Sequence, residues 1–325
     1  MMTLNELKET LLNEVQKRDI LLEMTPANAK IGREKMSGTY EAVETGKGNE
    51  KCLIPQVGTV FYLYRGQNCE FIPCLPSLYR GNPSPEEIFV ERMRFIVFRR
   101  LMNTHPVIKH FFLRHHFKVD MEGLAQHYGL KTDVIDLTSD LDIALFFAMC
   151  WYDSNTDLYH YYDDGMEHNA ILYVFDPIMD NEPCPSSKDN SYMNHNIQPI
   201  GLQVLPRPGV QNGYGVHVAL GGSIKSYLYR FTFTCNDSKE YYRRYCSGDA
   251  LWIRDSISEK IKTILKQTVF SYSVFNEAFR EFRPVGYSAT RLKRALPSGI
   301  VLKPRVDDIR FDASEVKKIV DDWNC

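Results

Sequence analysis

The stretch DVIDLTSDLDIALFFA at residues 133–148 is central to the predicted fold. Residues 132–139 are rich in aliphatic and β-branched side chains, and they predict a short buried strand. The strand runs into a helix over residues 140–152, which is apolar on nearly all faces and is therefore expected in the core. We expect Ser139 to cap this helix, with Asp142 three residues later.

Segments on either side of this unit predict further elements. FYLYRG at residues 61–66 is typical of an aromatic strand. Ser84, Pro85 and Glu87 form a strong helix start, so a helix is expected over residues 86–103. Its arginines Arg92, Arg94, Arg99 and Arg100 are expected to be exposed. Other predicted elements are helices over residues 3–24, 120–128, 256–267 and 313–323, and strands at residues 171–175 and 229–233.

Two polar segments interrupt these elements. Residues 29–51 are polar, contain glycines and predict a linker. Residues 176–215 are rich in Pro, Asn, Ser and Gly, and an irregular stretch of this length is more often a binding loop than a spacer. We expect this loop to border a ligand site without joining a sheet. Its Gln211 and Tyr214 can reach toward such a site, although ordinary turn chemistry would also explain them.

Composition and charge exclude several classes of protein. The 325 residues are 44% apolar and 25% charged, and 39 Lys and Arg against 41 Asp and Glu give a net charge of -2. The chain therefore lacks the overall basic excess of nonspecific nucleic-acid binders, although a local basic groove stays open. The longest apolar stretch, at residues 143–151, is about half of the roughly 20 residues that a membrane-spanning helix needs.

The N-terminus and the cysteines favour a cytoplasmic protein. The first 24 residues spread charges through a periodic apolar pattern, unlike a secretion signal. The eight cysteines are scattered, with no C-x-x-C pair and no matching histidines. We therefore interpret them as reduced thiols and expect no metal site.

Polar residues inside apolar segments are the candidates for chemistry, because the usual nucleotide-loop, hydrolase and zincin motifs are absent. Arg65 ends an aromatic strand, Gly66 would let a backbone or ligand approach, and Gln67 adds an amide. The five fixed donors of a guanidinium suit a carboxylate or a pyrophosphate. Asp136 lies in an apolar strand, where it either pairs with Arg65 or helps to cap the next helix.

A second group of candidates lies at the ends of the neighbouring elements. His127 and Tyr128 end a short helix just before the predicted strand, and His127 is either a structural or a functional histidine. Thr138 and Ser139 carry hydroxyls at a strand-to-helix turn, whose free amides can bind an anion. Capping alone would also explain Ser139.

Several segments, taken in order, resemble the FRG domain family, which is named for an [FY]-R-G motif. The matching segments are YRGQ at 64–67, PSLYR at 76–80, LAQHYGL at 124–130, DVIDLTSDLDIALFFA at 133–148 and, more loosely, PRPGVQNGY at 206–214. The resemblance is specific over about residues 55–150 and weaker to about residue 235.

The family pattern is similar to a distant version of the ADP-ribosyltransferase fold, in which a first-strand arginine and an S-T-S-like element frame an NAD cleft. The resemblance assigns these roles to Arg65 and to Thr138 and Ser139. Many such transferases carry a later Glu-x-Glu, which this chain lacks. Asp136 is then the better placed acid, although it could instead orient Arg65 or His127.

Breaking the nicotinamide–ribose bond passes through an oxocarbenium-like state, so the site needs a carboxylate near the sugar and fixed donors on the pyrophosphate. Arg65 and Arg80 would hold phosphate, and Tyr128 or Tyr214 would stack on nicotinamide. The residues expected to contact NAD are Arg65, Gly66, Gln67, Arg80, Tyr128, Thr138, Ser139, Gln211 and Tyr214, and those expected to act in catalysis are Asp136 and His127.

We therefore predict an α+β fold with a split, mostly antiparallel sheet and packed helices. An N-terminal helix and linker would span residues 1–51, the FRG domain 52–285, and a C-terminal extension with a terminal helix 286–325. The leading function is NAD-directed ADP-ribosyl transfer or NAD hydrolysis, without a metal, in a toxin or defence effector. The alternative is a noncatalytic module that binds a nucleotide or a protein partner in the same pocket.

Overall fold

Residues 134–149 form a strand followed by a helix, as the sequence predicts. They belong to a computed structural model that describes residues 1–23, 40–44, 49–55, 62–71, 73–175, 197–200, 205–220, 222 and 226–324. The strands are β1 (Met2–Thr3), β2 (Tyr40–Glu44), β3 (Lys51–Pro55), β4 (Leu63–Gln67), β5 (Val134–Thr138), β6 (Trp151–Asp153), β7 (Leu158–His160), β8 (Glu167–Phe175), β9 (Ile197–Pro199), β10 (Gly213–His217), β11 (Tyr227–Thr234), β12 (Val269–Ser271) and β13 (Val301–Lys303). The helices are α1 (Leu4–Glu23), α2 (Pro85–Met102), α3 (Met121–His127), α4 (Leu141–Met149), α5 (Pro206–Val210), α6 (Cys235–Arg244), α7 (Ser256–Leu265), α8 (Tyr272–Phe282), α9 (Ala289–Ala295) and α10 (Ala313–Asn324).

A seven-stranded sheet organises the fold, in the order β1-β11-β8-β4-β5-β10-β9. β1 runs parallel to β11 at one edge of the sheet, and the chain enters α1 directly after it. The other neighbouring strands of this sheet are antiparallel. The α+β class is confirmed. The mostly antiparallel sheet that we predict is corrected in one respect, because the parallel pair of β1 and β11 makes it a mixed sheet.

The sheet is nearly divided between β4 and β5. These strands share only the pair formed by Tyr64 and Thr138. By contrast, β4 pairs with β8 along its whole length, and so does β5 with β10. Side chains therefore occupy the space where backbone pairing between β4 and β5 has stopped.

Helix α4 packs directly on β4 and covers one face of the sheet. Gly66 permits this contact, because a Cβ atom at that position would lie 1.8 Å from the carbonyl oxygen of Ala144. The close approach that Gly66 allows is therefore one of backbone to backbone. Buried apolar residues on this side include Leu7, Phe146, Leu172, Phe231 and Phe233.

A second core lies among α2, α3, α7 and α8. The capping box of α2 forms as predicted, since Ser84 Oγ accepts from the Glu87 amide and Glu87 Oε2 accepts from the Ser84 amide. The predicted exposure of the α2 arginines is wrong. Arg92 is buried and forms ion pairs with Glu122 and Asp133. The other three arginines are half-buried, and each pairs with a carboxylate.

Asp140, rather than Ser139, caps α4. The Asp140 carboxylate accepts from the amides of Asp142 at 2.8 Å and Ile143 at 3.2 Å. The helix ends three residues earlier than predicted, because the chain turns into the β6–β7 hairpin. The cap prediction is wrong because a serine and an aspartate adjoin at this turn, and local pattern does not choose between them.

Two segments predicted as irregular contain strands. β9 and the first three residues of β10 lie within residues 176–215, and β10 pairs with β5 and β9. β2 lies within residues 29–51 and pairs with β3. β10 can enter the sheet because Gly213 leaves room for the ring of His127. Residues 176–196 and 201–204 of the expected binding loop, and residues 29–39 and 45–48 of the expected linker, lie outside the described residues.

Two findings concern membranes and thiols. Within the described ranges, no helix is both long and apolar enough to cross a membrane. The described cysteines, Cys69, Cys74, Cys150, Cys235 and Cys246, carry free thiols.

Candidate functional site

A cavity of about 320 Å³ opens where β4 and β5 part. This volume lies at the lower end of the range for small-molecule sites. The cavity is lined by Tyr64, Arg65, Gly66, Gln67, Asn68, Phe71, Arg80, Gln126, His127, Gly129, Asp136, Leu137, Thr138, Ala144, Phe147, Cys150, Tyr152, Tyr159, Gln211 and Trp252.

Arg65 and Asp136 bridge the gap between β4 and β5. Nη1 of Arg65 donates to Oδ1 of Asp136 at 2.6 Å and to the backbone carbonyl of Asp136 at 2.8 Å. The side chain of Arg65 is 12% exposed, whereas that of Asp136 is 41% exposed. The pairing that the sequence left open is therefore present, and the carboxylate still faces the cavity.

The ion pair keeps Asp136 charged. Burial raises the pKa of this carboxyl, but the guanidinium of Arg65 outweighs burial and lowers the pKa to about 2. Gln126 places its Nε2 at 3.5 Å from Oδ1 of Asp136, and the hydroxyls of Ser77 and Thr132 hold the amide oxygen of Gln126. Asp136 is therefore suited to stabilising positive charge rather than to donating a proton at neutral pH.

His127, Gln67 and Arg65 bring buried polar atoms without hydrogen-bond partners to this cavity. These atoms are both ring nitrogens of His127, Oε1 of Gln67 and Nε of Arg65, and they are four of the eight such atoms in the part of the chain that the structure describes. Burial lowers the pKa of His127 despite the nearby charge of Asp136, so the ring is neutral at neutral pH. Buried polar atoms without partners cost free energy. Their concentration here indicates groups that a ligand can satisfy.

Arg80 places a second guanidinium on the cavity wall. Its Nε donates to the carbonyl of Leu75 at 3.0 Å, and its guanidinium carbon lies 6.0 Å from the centre of the Phe71 ring. Among the described residues, no carboxylate forms an ion pair with Arg80. Because Arg65 is already committed to Asp136, Arg80 is the better placed of the two for an anionic ligand group.

Four aromatic residues form one side of the cavity, which we call the aromatic wall: Phe147, Tyr152, Tyr159 and Trp252. The ring centre of Tyr159 lies 5.9 Å from that of Phe147, 5.2 Å from Tyr152 and 5.8 Å from Trp252. The Tyr152 hydroxyl and the Trp252 indole N–H both donate to Oδ1 of Asp157, at 2.6 and 3.0 Å. These bonds fix the wall before any ligand arrives.

The sequence reasoning missed the aromatic wall. The available signal was the run WYDSNTDLYHYY at residues 151–162, directly after α4. It is more aromatic than a surface hairpin requires, and the predicted helix end at residue 152 hid it. Trp252 has no local signal, since only the tertiary fold brings it to this wall.

Tyr128, Ser139 and Tyr214 do not line the cavity. Tyr128 is 3% exposed, and its hydroxyl donates to Oδ2 of Asp255 at 2.7 Å. Tyr214 lies on a buried face of the sheet in the β10 register opposite Leu137. The expectation that either ring stacks on a ligand here is therefore corrected, because both are already buried in the core.

Thr138 and Gln211 line the cavity but are bonded within the protein. The Thr138 hydroxyl donates to the Gln211 carbonyl at 2.7 Å and accepts from the Asp140 amide. The Gln211 amide donates to the Leu251 carbonyl at 2.8 Å. These bonds join β5 to two distant turns, so the two residues shape the cavity.

The comparison with protein families agrees with the sequence pattern. Residues 61–157 match the family model of the FRG domain, and the chain therefore contains an FRG domain. No curated protein and no solved structure matches the chain. The matched segment carries β4, β5 and α4, and with them Arg65 and Asp136.

Proposed function

We propose that the chain binds NAD in this cavity and acts on the nicotinamide–ribose bond, as a glycohydrolase or an ADP-ribosyltransferase. One observation carries the proposal: an ionised carboxylate, Asp136, shares a small cavity with the unpartnered polar atoms of His127 and Gln67 and with the aromatic wall. The polar groups can form hydrogen bonds with the ribose of NAD, and the aromatic wall can stack against its flat nicotinamide ring.

The aromatic wall suits the nicotinamide ring. The ring of oxidised NAD is positively charged, and aromatic faces attract such cations. The wall and the Asp136 carboxylate line the same cavity, so one ligand can contact both.

Arg80 suits the pyrophosphate of the same ligand. Its Nη groups form no hydrogen bond with a described residue, and a guanidinium presents paired donors to phosphate oxygens. With Arg65 bound to Asp136, the charges of these three groups leave the cavity with an excess of one positive charge. That excess favours an anionic nucleotide.

Asp136 would act where the bond breaks. The electron pair of the C1′–N bond passes to the nicotinamide nitrogen, the ring leaves neutral, and positive charge develops on the ribose. An ionised carboxylate stabilises that charge. The oxygen of water, or an acceptor group, then bonds to C1′ and loses a proton, for which neutral His127 is the candidate acceptor.

A noncatalytic nucleotide- or protein-binding module is the second candidate. The observation in its favour is that Arg65 already neutralises Asp136, and that Asp136 is the single carboxylate among the described cavity-lining residues. Such a site would bind NAD without breaking it.

The proposal also implies a cellular location and a biological role for the protein. NAD as substrate fits a cytoplasmic location, and consumption of NAD or modification of a protein acceptor would be the action of a toxin or defence effector. The acceptor would approach through the open side of the cavity, where Asp136 is exposed.

Incubation of the purified chain with NAD tests the two candidates, with chromatography to measure nicotinamide and calorimetry to measure binding. Equal release of nicotinamide and free ADP-ribose indicates a glycohydrolase, and release with ADP-ribose attached to protein indicates a transferase. Binding without release supports the noncatalytic module. Absence of both binding and release contradicts every NAD-binding role of the cavity and leaves only the protein-binding form of the second candidate.

A further inference from the structure

A second cluster of ionisable side chains lies at the other end of β5, away from the cavity. We call it the His217 cluster: Arg92 on α2, Asp120 and Glu122 at the start of α3, Asp133 before β5, and His217 at the end of β10. The pairing of β10 with β5 places His217 opposite Val134, beside Asp133.

Three ligand atoms of this cluster converge. Nδ1 of His217 lies 3.4 Å from Oε2 of Glu122 and 3.7 Å from Oδ1 of Asp133, and the three atoms lie within 4.8 Å of one another. Zinc–ligand bonds of about 2.1 Å in a tetrahedron separate neighbouring ligand atoms by about 3.4 Å. The two separations from Nδ1 of His217 are therefore close to those of a zinc site.

The residues around these three atoms hold them in place. Nε2 of His217 lies 3.2 Å from Oδ2 of Asp120, whose side chain is 6% exposed. A histidine that binds a metal through one nitrogen commonly donates from the other nitrogen to such a carboxylate. Arg92 donates to the remaining oxygens of Glu122 and Asp133, at 2.7 and 2.8 Å, which turns their free oxygens toward His217.

Two further observations point to a cation. Oδ1 of Asp133 is buried and has no hydrogen-bond partner, so one of the converging oxygens is unsatisfied. Three carboxylates, of Asp120, Glu122 and Asp133, surround Arg92 and His217. The carboxylates therefore outnumber the cationic groups of the cluster, and a bound cation would reduce that excess of negative charge.

We propose that the His217 cluster is a zinc site, with Nδ1 of His217, Oε2 of Glu122 and Oδ1 of Asp133 as ligands and water in the remaining position. One nitrogen and two oxygens favour a first-row transition metal over Mg²⁺ or Ca²⁺, which prefer oxygen ligands. The ion would join α3 to β5 and β10, and its binding does not depend on NAD. The expectation from the cysteines does not apply to this site, because it contains no cysteine.

A competing cluster provides the matched control. Asp164, His168 and Cys235 also bring one ligand atom each within 4.8 Å of the others. Its carboxylate is exposed and already bonded to the other two side chains, and among the residues that the structure describes no buried carboxylate bonds the other nitrogen of its histidine. Cys235→Ser removes this site and leaves the His217 cluster intact.

The test loads the full chain with Zn²⁺, removes excess by gel filtration and measures bound metal, for wild type, His217→Gln, Glu122→Gln and Cys235→Ser. We expect about one zinc per chain in wild type and Cys235→Ser, and a loss of most of it in both cluster variants. Circular dichroism checks that the variants fold. Asp120→Asn, outside the ligand set, should weaken affinity about 10-fold.

Co²⁺ as a spectroscopic probe identifies the ligands independently of the variants. Binding at the His217 cluster should give visible d–d bands without a thiolate charge-transfer band in the near ultraviolet. A thiolate band that Cys235→Ser abolishes, zinc retained in His217→Gln, preference for Mg²⁺, or no zinc in folded wild type would each overturn the proposal.

Discussion

The two ends of β5 differ in the sign of the charge that they present. At the cavity, Arg65 and Arg80 face the single carboxylate of Asp136, so positive charge is in excess. At the His217 cluster, Arg92 and His217 face three carboxylates, so negative charge is in excess. One strand of five residues therefore separates a site suited to an anion from a site suited to a cation.

This difference shows that an arginine–aspartate pair does not define a function by itself. Arg65 bonds one aspartate and leaves neighbouring polar atoms without partners, beside an aromatic wall. Arg92 bonds two carboxylates and orients them toward a histidine. The groups around each pair, unsatisfied polar atoms and aromatic rings at one end and a histidine at the other, therefore determine which ligand fits.

Asp136→Asn should have the largest effect, because it removes the single carboxylate of the described cavity lining. We expect nicotinamide release to fall by about 10²- to 10³-fold, the usual cost of losing one group that stabilises charge in the transition state. NAD should still bind, since the variant cavity is more positive. Chromatography measures release, and calorimetry measures binding.

Asp163→Asn is the control for this change, since Asp163 is an exposed carboxylate outside the cavity. It should keep wild-type release. Wild-type release by Asp136→Asn would instead show that the ionised carboxylate has no part in the reaction.

Arg65→Lys should lower stability more than any change to an exposed pair. Nη1 of Arg65 bonds both the carboxylate and the backbone of Asp136, and lysine keeps the charge but not the planar geometry. We expect the free energy of unfolding in urea to fall by about 2 kcal/mol. Arg230→Lys, in the exposed pair with Glu70, should leave it nearly unchanged, because solvent screens this pair. Equal losses would show that Arg65 is not a link across the divided sheet.

Arg80→Ala tests whether the excess positive charge of the cavity serves to bind an anionic ligand. Loss of one charge-assisted contact should weaken NAD binding about 10-fold, with little change in melting temperature, because Arg80 has no carboxylate partner among the described residues. Nicotinamide riboside lacks the pyrophosphate, so its affinity should not change. An equal loss for both ligands would remove the pyrophosphate role of Arg80.

The fold was predictable where short-range contacts decide it. The capping box of Ser84 and Glu87 and the buried strand before α4 depend on neighbours within a few residues, and both form. β10 was not predictable, because its two glycines and its polar flanks are typical of a loop. It becomes a strand only through its pairing with β5 and β9.

The candidate site was predictable where a polar residue interrupts an apolar strand. Arg65 and Asp136 stood out for that reason, and His127 stood out beside them, and all three line the cavity. Tyr128 was misplaced because its neighbour His127 points into the cavity while Tyr128 itself turns into the helical core. Local sequence does not reveal which way two adjacent side chains at a helix end will point.

The smallest expected effect is the acid dependence of the Arg65 and Asp136 pair. The pKa of Asp136 is lowered to about 2 in the folded chain from an ordinary value of about 3.8. Its contribution to stability should therefore be complete above about pH 5 and decline as the pH falls toward 2, since the unfolded chain binds the proton first. Because the side chain is 41% exposed, solvent screening reduces this contribution to about 1 kcal/mol. Urea unfolding of wild type and Asp136→Asn at pH 6 and pH 3 measures it: the difference in unfolding free energy between the two proteins should shrink by about half of that amount at pH 3, because this pH is still above the folded-state pKa of Asp136. A difference for Asp136→Asn that does not change with pH would show that Arg65 does not hold the carboxylate in its charged form.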